Sequence, residues 1–320
     1  MFVIQNIRSY VNYEMENSHI DYVYAVDHFV KAGETETSSG MSVNPGGKGL
    51  NQSIALARAG VEVCHAGMVG EEGRILIDRC IENGVNVDRV RMIQGRSGHT
   101  IIQVDQSGEN SILLFGGANR CMTASFIDEV LADFGRGDMI LLQNEINLLD
   151  VIIDKAYDKG LRIVLNPSPY DDALLTCDLS KVSYFLLNEI EGAQMTERSQ
   201  TDAQATEITV KPGPKEILRE IRRKYPDAKT VLTLGAEGAY YDDSEDVYYQ
   251  SAFPVKAVDT TAAGDTFTGY FIASVMNGLS PEDSLRLASK AASIAVTRPG
   301  ALDSIPWRKE VLESLGEVML

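Results

Sequence analysis

Short apolar runs alternate along this chain with longer stretches in which apolar residues recur every three to four positions. Period-two and continuous apolar runs predict strands over 61–68, 139–142, 162–165, 184–187 and 230–234. The helical period predicts helices over 49–59, 72–83, 124–133, 148–159, 214–224, 265–277 and 281–296. Apolar strands separated by amphipathic helices specify an α/β protein: a three-layer α/β/α arrangement around a central, mostly parallel sheet. Ligands of such sheets bind beyond the carboxyl ends of the strands. Two regions, 20–45 and 99–116, alternate like strands with no helix between. In the second, 100–104 and 111–115 flank a hairpin-like connection at 105–110. These regions predict a small antiparallel β lid beside the main sheet. The polar stretch 196–214 ends in Pro212, Gly213 and Pro214 and reads as a surface loop. No repeat, low-complexity tract or linker divides the chain, so 1–320 is expected to be one domain.

Composition narrows the functional classes. The 320 residues are 44% hydrophobic, ample for a large core, and carry a net charge of −17. So acidic a chain is not expected to bind nucleic acid or an anionic membrane. An anionic nucleotide would have to be held by local N–H groups and Mg²⁺. Cys64, Cys80, Cys121 and Cys177 are widely spaced, with no Cys-x-x-Cys pair. That distribution fits reduced thiols better than a disulfide framework or a zinc site. No apolar stretch approaches the roughly 20 residues of a membrane span. Residues 1–8 lack a basic-then-apolar leader pattern, so the expected location is the cytoplasm.

Two motifs carry chemistry. The first is Val258-Asp259-Thr260-Thr261-Ala262-Ala263-Gly264-Asp265-Thr266-Phe267-Thr268-Gly269. Small residues open a helix here, and the unpaired N–H groups of a first helical turn make an anion site. Asp265 lies in that same turn. A carboxylate is a poor phosphate anchor but a plausible general base for a hydroxyl that attacks phosphorus. Taken alone, the segment reads equally well as an ordinary capped helix. The second motif, Asn44-Pro45-Gly46-Gly47-Lys48-Gly49-Leu50-Asn51-Gln52-Ser53, also opens a helix. Its glycines permit close approach to the backbone, and Lys48 and Asn51 supply donors for hydroxyl or phosphate oxygens. The spacing is not that of a Walker loop.

Together the motifs resemble the two signatures of the ribokinase-like (PfkB) carbohydrate kinases. Gly47, Asn51, Ser53, Gly60 and Gly70 fall at the spacing of the first, and 259–269 follows the second. The resemblance extends from about residue 20 to 311. It includes Gly33-Glu34-Thr35, Gly116-Gly117-Ala118-Asn119, Leu165-Asn166-Pro167-Ser168-Pro169, Ala295-Val296-Thr297-Arg298 and Ile305-Pro306-Trp307-Arg308.

The resemblance implies the ribokinase-like fold and an ATP-dependent sugar kinase, with D-ribose phosphorylated at its 5-hydroxyl as the leading reaction. Another sugar or a nucleoside is the alternative acceptor, and a non-catalytic sugar sensor the rival from another class. It implies that Asp265 is the base and that the N–H groups of Ala262, Ala263 and Gly264 form the anion hole. Asp21, Gly47, Lys48, Asn51 and Glu145 would contact the sugar, with His19 in place of a contacting asparagine. Asn188, Glu191, Thr233, Gly235, Gly238, Gly264 and Ser289 would line the ATP site, Glu191 reaching Mg²⁺ through water. Asp259, Thr261, Ala295, Arg298, Gly300 and Ser304 would hold K⁺, Arg298 through its backbone oxygen. A homodimer through the lid is the implied assembly.

Read without the resemblance, several of these residues have plainer explanations. Asn188 and Glu191 fit a strand end with a helix cap, 233–238 a glycine-rich turn, and 298–300 another turn. Glu145 fits an exposed strand-end charge and Asp21 a turn residue. The chain also departs from the family pattern. Glu16 replaces a glycine in the first substrate loop, and the N-terminal segment 1–15 is longer than expected. Ser289 stands where His or Asn often meets adenine. Tyr270 stands where Ala or Gly is expected, and would either crowd its helix or fill a gap. His28, His65 and His99 show no ligand spacing and are expected to be structural.

Overall fold

The computed structural model describes residues 12–15, 18–197 and 212–316. Glu16, most of the N-terminal segment 1–15 and most of the predicted loop 196–214 lie outside the described residues. The chain opens with β1 (Asn12–Met15), β2 (His19–Ala25), β3 (Gly40–Gly46), α1 (Lys48–Arg58), β4 (Val63–Val69), α2 (Arg74–Glu82) and β5 (Asn86–Met92). It continues through β6 (Gly98–Val104), β7 (Asn110–Phe115), α3 (Ala124–Leu131), β8 (Met139–Gln143), α4 (Leu149–Asp158), β9 (Arg162–Asn166) and β10 (Tyr184–Asn188). The remaining elements are α5 (Glu189–Glu197), α6 (Pro214–Lys224), β11 (Lys229–Thr233), β12 (Gly238–Asp242), β13 (Val247–Ser251), α7 (Ala263–Met276), α8 (Pro281–Ala295) and α9 (Arg308–Ser314).

Nine strands form the main sheet in the order β13-β12-β11-β10-β9-β8-β1-β4-β5. All neighbours from β11 to β5 pair in parallel, and β12 pairs antiparallel with both β11 and β13. The apolar strands are split by their pleat between two cores. On β8 and β9, Ile140, Leu142, Ile163 and Leu165 face a core shared with Phe126, Ile152 and Ile217. Their alternates Met139, Leu141 and Val164 face Leu50, Ile54, Phe267 and Phe271 on the other side. A strand buried on both faces must be apolar at consecutive positions, which is why these runs were readable. Three edge or near-edge strands escape that rule. β5 alternates polar and partly buried residues, and β12 and β13 form a hairpin with tyrosines and acids.

Helix boundaries follow local chemistry. The Thr123 hydroxyl accepts from the Phe126 N–H at the start of α3, and Ser280 caps α8 with Pro281 in its first turn. Helix α7 starts at Ala263, two residues before the predicted start, which places Asp265 inside its first turn.

The small sheet has the order β3-β2-β6-β7. It corrects the purely antiparallel expectation. β2–β3 and β6–β7 are antiparallel, but the central pair β2–β6 is parallel. The chain leaves after β3, builds α1, β4, α2 and β5, and returns in the direction of β2. Among the described residues no helix is long and apolar enough to cross a membrane.

Candidate active site

Helices α1 and α7 converge where Gly269 lies against α1. A Cβ at Gly269 would sit 2.4 Å from the Ala55 Cβ, so the close approach depends on glycine. This contact brings the start of α1 to the first turn of α7. Asn51 Nδ2 donates to Asp265 Oδ2 at 2.8 Å, and Gln52 Nε2 donates to Asp265 Oδ1 at 2.8 Å. Gln52 is itself held: its Oε1 accepts from Gln143 Nε2 at 2.8 Å, and its Nε2 also reaches Asn166 Oδ1 at 3.2 Å. Asn166 donates in turn to the Leu186 carbonyl at 2.9 Å. Burial pushes the Asp265 carboxyl above its ordinary range; the amides of Gln52 and Asn51 and the Lys48 ammonium pull the other way without cancelling it. Sequence reasoning missed Gln52 and Gln143 and gave Asn166 no role. The available signal was position: Gln143 and Asn166 are polar residues ending the apolar strands β8 and β9, where such sheets place their sites.

Facing this carboxylate is a compact charged cluster. Lys48 Nζ donates to Glu145 Oε1 at 3.1 Å, and His19 Nε2 lies 3.5 Å from Glu145 Oε2. His19 and Glu145 are both buried, so Glu145 is not the exposed strand-end charge considered above. Burial depresses the His19 pKa and outweighs Glu145, which favours the neutral ring. Burial also pulls on Lys48, but Glu145 and Asp265 overcome it and hold the ammonium charged. Asp21 accepts from Thr100 Oγ1 at 2.5 Å; burial nonetheless raises its pKa. Two glycines make room. A Cβ on Gly46 would lie 2.0 Å from Asp21 Oδ2, and one on Gly98 would lie 2.6 Å from His19 Cδ2. Gly47 opens α1 at φ 97°, a conformation that favours glycine.

The remaining histidines are largely structural, as expected. His65 is buried between Ser53 Oγ at 2.7 Å and Ser18 Oγ at 3.2 Å, and burial pushes its pKa down to about 4. His99 packs between the rings of Tyr22 and Phe115. His28 departs from the expectation of no ligand grouping. It meets Glu34 and Glu36 on the β2–β3 connection, with candidate ligand atoms within 4.8 Å of one another.

On the proposed nucleotide side, Asn188 and Glu191 form a reciprocal cap. The Glu191 N–H donates to Asn188 Oδ1 at 2.9 Å, and the Asn188 N–H donates to Glu191 Oε2 at 3.0 Å. Thr233 ends β11 with its hydroxyl on the Leu187 carbonyl at 3.2 Å. Gly235 and Gly238 follow at φ 53° and 124°. Ser289 is buried in α8. Ala262 holds a left-handed conformation at φ 57°, a strained state for a residue with a side chain. The Ala263 N–H donates to the Thr260 carbonyl at 3.2 Å, so one of the three groups expected in the anion hole is engaged in closing the turn.

The 259–261 turn and the 295–304 segment are tied together. Asp259 Oδ1 accepts from the Thr261 N–H at 2.9 Å and hydroxyl at 2.6 Å, and Oδ2 accepts from the Gly300 N–H at 2.9 Å. The Val258 and Asp259 N–H groups both donate to the Val296 carbonyl. The Arg298 N–H donates to the Ala295 carbonyl, while its guanidinium pairs with Glu310. Ser304 is buried, with its hydroxyl on the Ala301 carbonyl at 2.7 Å. Burial favours a raised Asp259 pKa, but hydrogen bonds from Thr261 and Gly300 prevail and lower it. Tyr270 does not crowd α7. Its ring is fully buried and its hydroxyl donates to the Pro306 carbonyl at 2.8 Å.

A mostly parallel sheet with this small sheet, and a half-buried acid in the first turn of a helix linked through Gln52 to the carboxyl ends of β8 and β9, is the arrangement expected of a sugar kinase. The pfkB family carbohydrate kinase profile matches residues 15–308, and the chain belongs to that family. Several of its relatives are ribokinases. It is 37% identical over 283 residues to the ribokinase of Schizosaccharomyces pombe, covering 85% of this chain and 86% of that protein. The crystal structure of ribokinase from Cryptococcus neoformans in complex with ADP superposes with a TM-score of 0.82 at 30% identity, covering 95% of this chain and 99% of that one. Arabidopsis thaliana ribokinase complexed with ribose and ATP gives a TM-score of 0.81 at 26% identity, covering 96% and 99%.

Proposed function

We propose that this chain transfers the γ-phosphoryl group of ATP to the 5-hydroxyl of D-ribose. The observation that carries the proposal is the half-buried Asp265, held by Asn51 and Gln52, beside the Lys48–Glu145–His19 cluster. In the proposed step the acceptor oxygen forms a bond to the γ-phosphorus as the bond to the β–γ bridging oxygen breaks. The hydroxyl proton passes to the Asp265 carboxylate, and ADP leaves with the bridging oxygen. A carboxylate whose pKa is raised by burial is a better proton acceptor than one in water. Asp21, Glu145, Lys48 and Asn51 would orient the sugar hydroxyls, and the first-turn N–H groups of α7 would face the transferring phosphoryl charge. Closure of the small sheet would exclude water, so that the γ-phosphoryl group goes to the sugar.

The oxygen-rich pair Asn188 and Glu191 suits Mg²⁺ held through waters. Bound there, Mg²⁺ would neutralise charge on the β- and γ-phosphates. Thr233, Gly235, Gly238 and Ser289 would line the nucleotide. The carbonyl and carboxylate oxygens of Asp259, Thr261, Ala295, Arg298, Gly300 and Ser304 suit K⁺, a hard monovalent ion, and their hydrogen bonds join them to the loop before α7. The assembly proposed is a homodimer. β7 is an edge strand that exposes Ile112, Leu113, Leu114 and Phe115, and pairing with a second copy would cover it. The proposed location is the cytoplasm, in keeping with four cysteines spread widely along the sequence.

His19 favours a second reading, in which the acceptor is a different sugar or a nucleoside, because an imidazole reaches further than an asparagine. ADP release measured against a panel of sugars and nucleosides decides between them. Release with D-ribose far above the rest supports the first reading; silence with ribose and release with another acceptor supports the second.

A further inference from the structure

The segment that would carry the last two cation ligands, Gly300 and Ser304, is held from behind by two side chains of the helix core. Arg58, the last residue of α1, donates through Nη1 to the Leu302 carbonyl at 2.8 Å and the Ile305 carbonyl at 2.5 Å. Its Nε is fixed by Asn83 Oδ1 at 2.8 Å. From α7, the Tyr270 hydroxyl reaches the Pro306 carbonyl at 2.8 Å. Three carbonyls of one short stretch are therefore pinned by donors from the same two helices that hold Asn51, Gln52 and Asp265. Tyr270 is fully inaccessible, Leu302, Ile305 and Pro306 are buried, and Arg58 is half-buried. A buried carbonyl that loses its donor is left unsatisfied, so the stretch would shift to find another partner.

We propose that Tyr270, with Arg58, is a positioning residue for the monovalent-cation loop. The pair holds residues 300–306 with its oxygens already arranged, so that binding K⁺ requires little further ordering. This rests on the cation reading given above and adds to it a residue on α7 that touches neither the ion nor the reacting atoms. The shared helix gives the cation loop and Asp265 a common rigid support. The structure also supplies a reporter. Trp307, the sole tryptophan of the sequence, follows Pro306 directly, and the Arg58 guanidinium lies 5.2 Å from its ring centroid.

The experiment titrates wild type and Tyr270→Phe with KCl at constant ionic strength, without sugar or ATP. Trp307 emission and the thermal midpoint are followed, and the K⁺ dependence of turnover is then measured. Wild type is expected to show a saturable response. Tyr270→Phe is expected to need about five times more K⁺ for half the response, as for the loss of one buried hydrogen bond. Its turnover should show the same shift and recover at high K⁺. Equal half-saturation in both proteins overturns the inference, as does a lower midpoint at every K⁺ concentration with an unchanged titration. A wild type that ignores K⁺ in all three readouts overturns the cation reading and the inference with it. Arg58→Lys, which keeps the charge but loses the fork, should shift the titration in the same direction if Tyr270→Phe fails to fold.

Discussion

Asn51 and Asp265 are separated by 214 residues in the sequence, yet the Asn51 amide donates to the Asp265 carboxylate at 2.8 Å. Each belongs to a different signature, and the contact joins the two into one site. Gln52 supplies the second donor, so each carboxylate oxygen accepts from an amide at the start of α1. The scaffold thereby orients the carboxylate.

Asp265→Asn should retain sugar and ATP binding while lowering kcat by at least ~10²-fold, the usual scale for a lost general base. Binding isotherms alongside steady-state rates check this. An unchanged kcat would remove the role given to Asp265.

Gln52→Leu should lower kcat and also move the pH profile. The Gln52 amide stabilises the ionised carboxylate and so lowers the Asp265 pKa; its loss lets burial raise that pKa further. The base must be ionised, so the acid limb of kcat/KM should move to higher pH. A limb that stays put while kcat falls would assign Gln52 a packing role only.

His65 predicts a pH dependence of stability. Its pKa falls to about 4 in the folded state, from 6.5. The unfolded chain therefore binds the extra proton more readily between these values, and stability drops as pH falls from about 6.5 towards 4. The depressed pKa corresponds to up to about 3 kcal/mol over that window. Denaturant unfolding at pH 7 and pH 4.5 should show a smaller difference in His65→Gln than in wild type.

Much of this was legible before the structure, for identifiable reasons. Strands buried on both faces announced themselves as apolar runs, and the 214–224 helix agrees at both ends because Pro214 starts it and Pro226 follows it. β5 and β13 were not legible because edge strands keep polar residues on the solvent side, and β12 was not because it is short, opens on Gly238 and ends on a buried Asp242 that pairs with Arg222. Asp265, Lys48 and Asn51 were legible as candidates from their own motifs and Glu145 only through resemblance, and the structure brings all four together. Gln52 could not be singled out from sequence, because its role depends on Gln143 and Asn166 meeting it from separate strands. Whether Tyr270 would crowd its helix or fill a gap could not be read from the sequence, because its partner, the Pro306 carbonyl, lies 36 residues away.

The edge strand β7 makes a prediction about assembly. Leu113 is 67% exposed, and neighbouring Phe115 is 53% exposed. If a second copy covers this edge, Leu113→Glu should convert the dimer to a monomer in light scattering, without loss of fold by circular dichroism. A wild type that is monomeric at micromolar concentration would remove the proposed dimer.

The glycines at 46 and 98 limit how this pocket can diversify. A side chain at 46 would displace Asp21, and one at 98 would displace Asn119 and His19, so bulk cannot be added at these two positions without moving those groups. If this is the acceptor pocket, new preferences are expected at positions that already carry polar groups, such as 19. A lineage changing its substrate would then pass through exchanges of one hydrogen-bonding residue for another, with the surrounding backbone inherited intact.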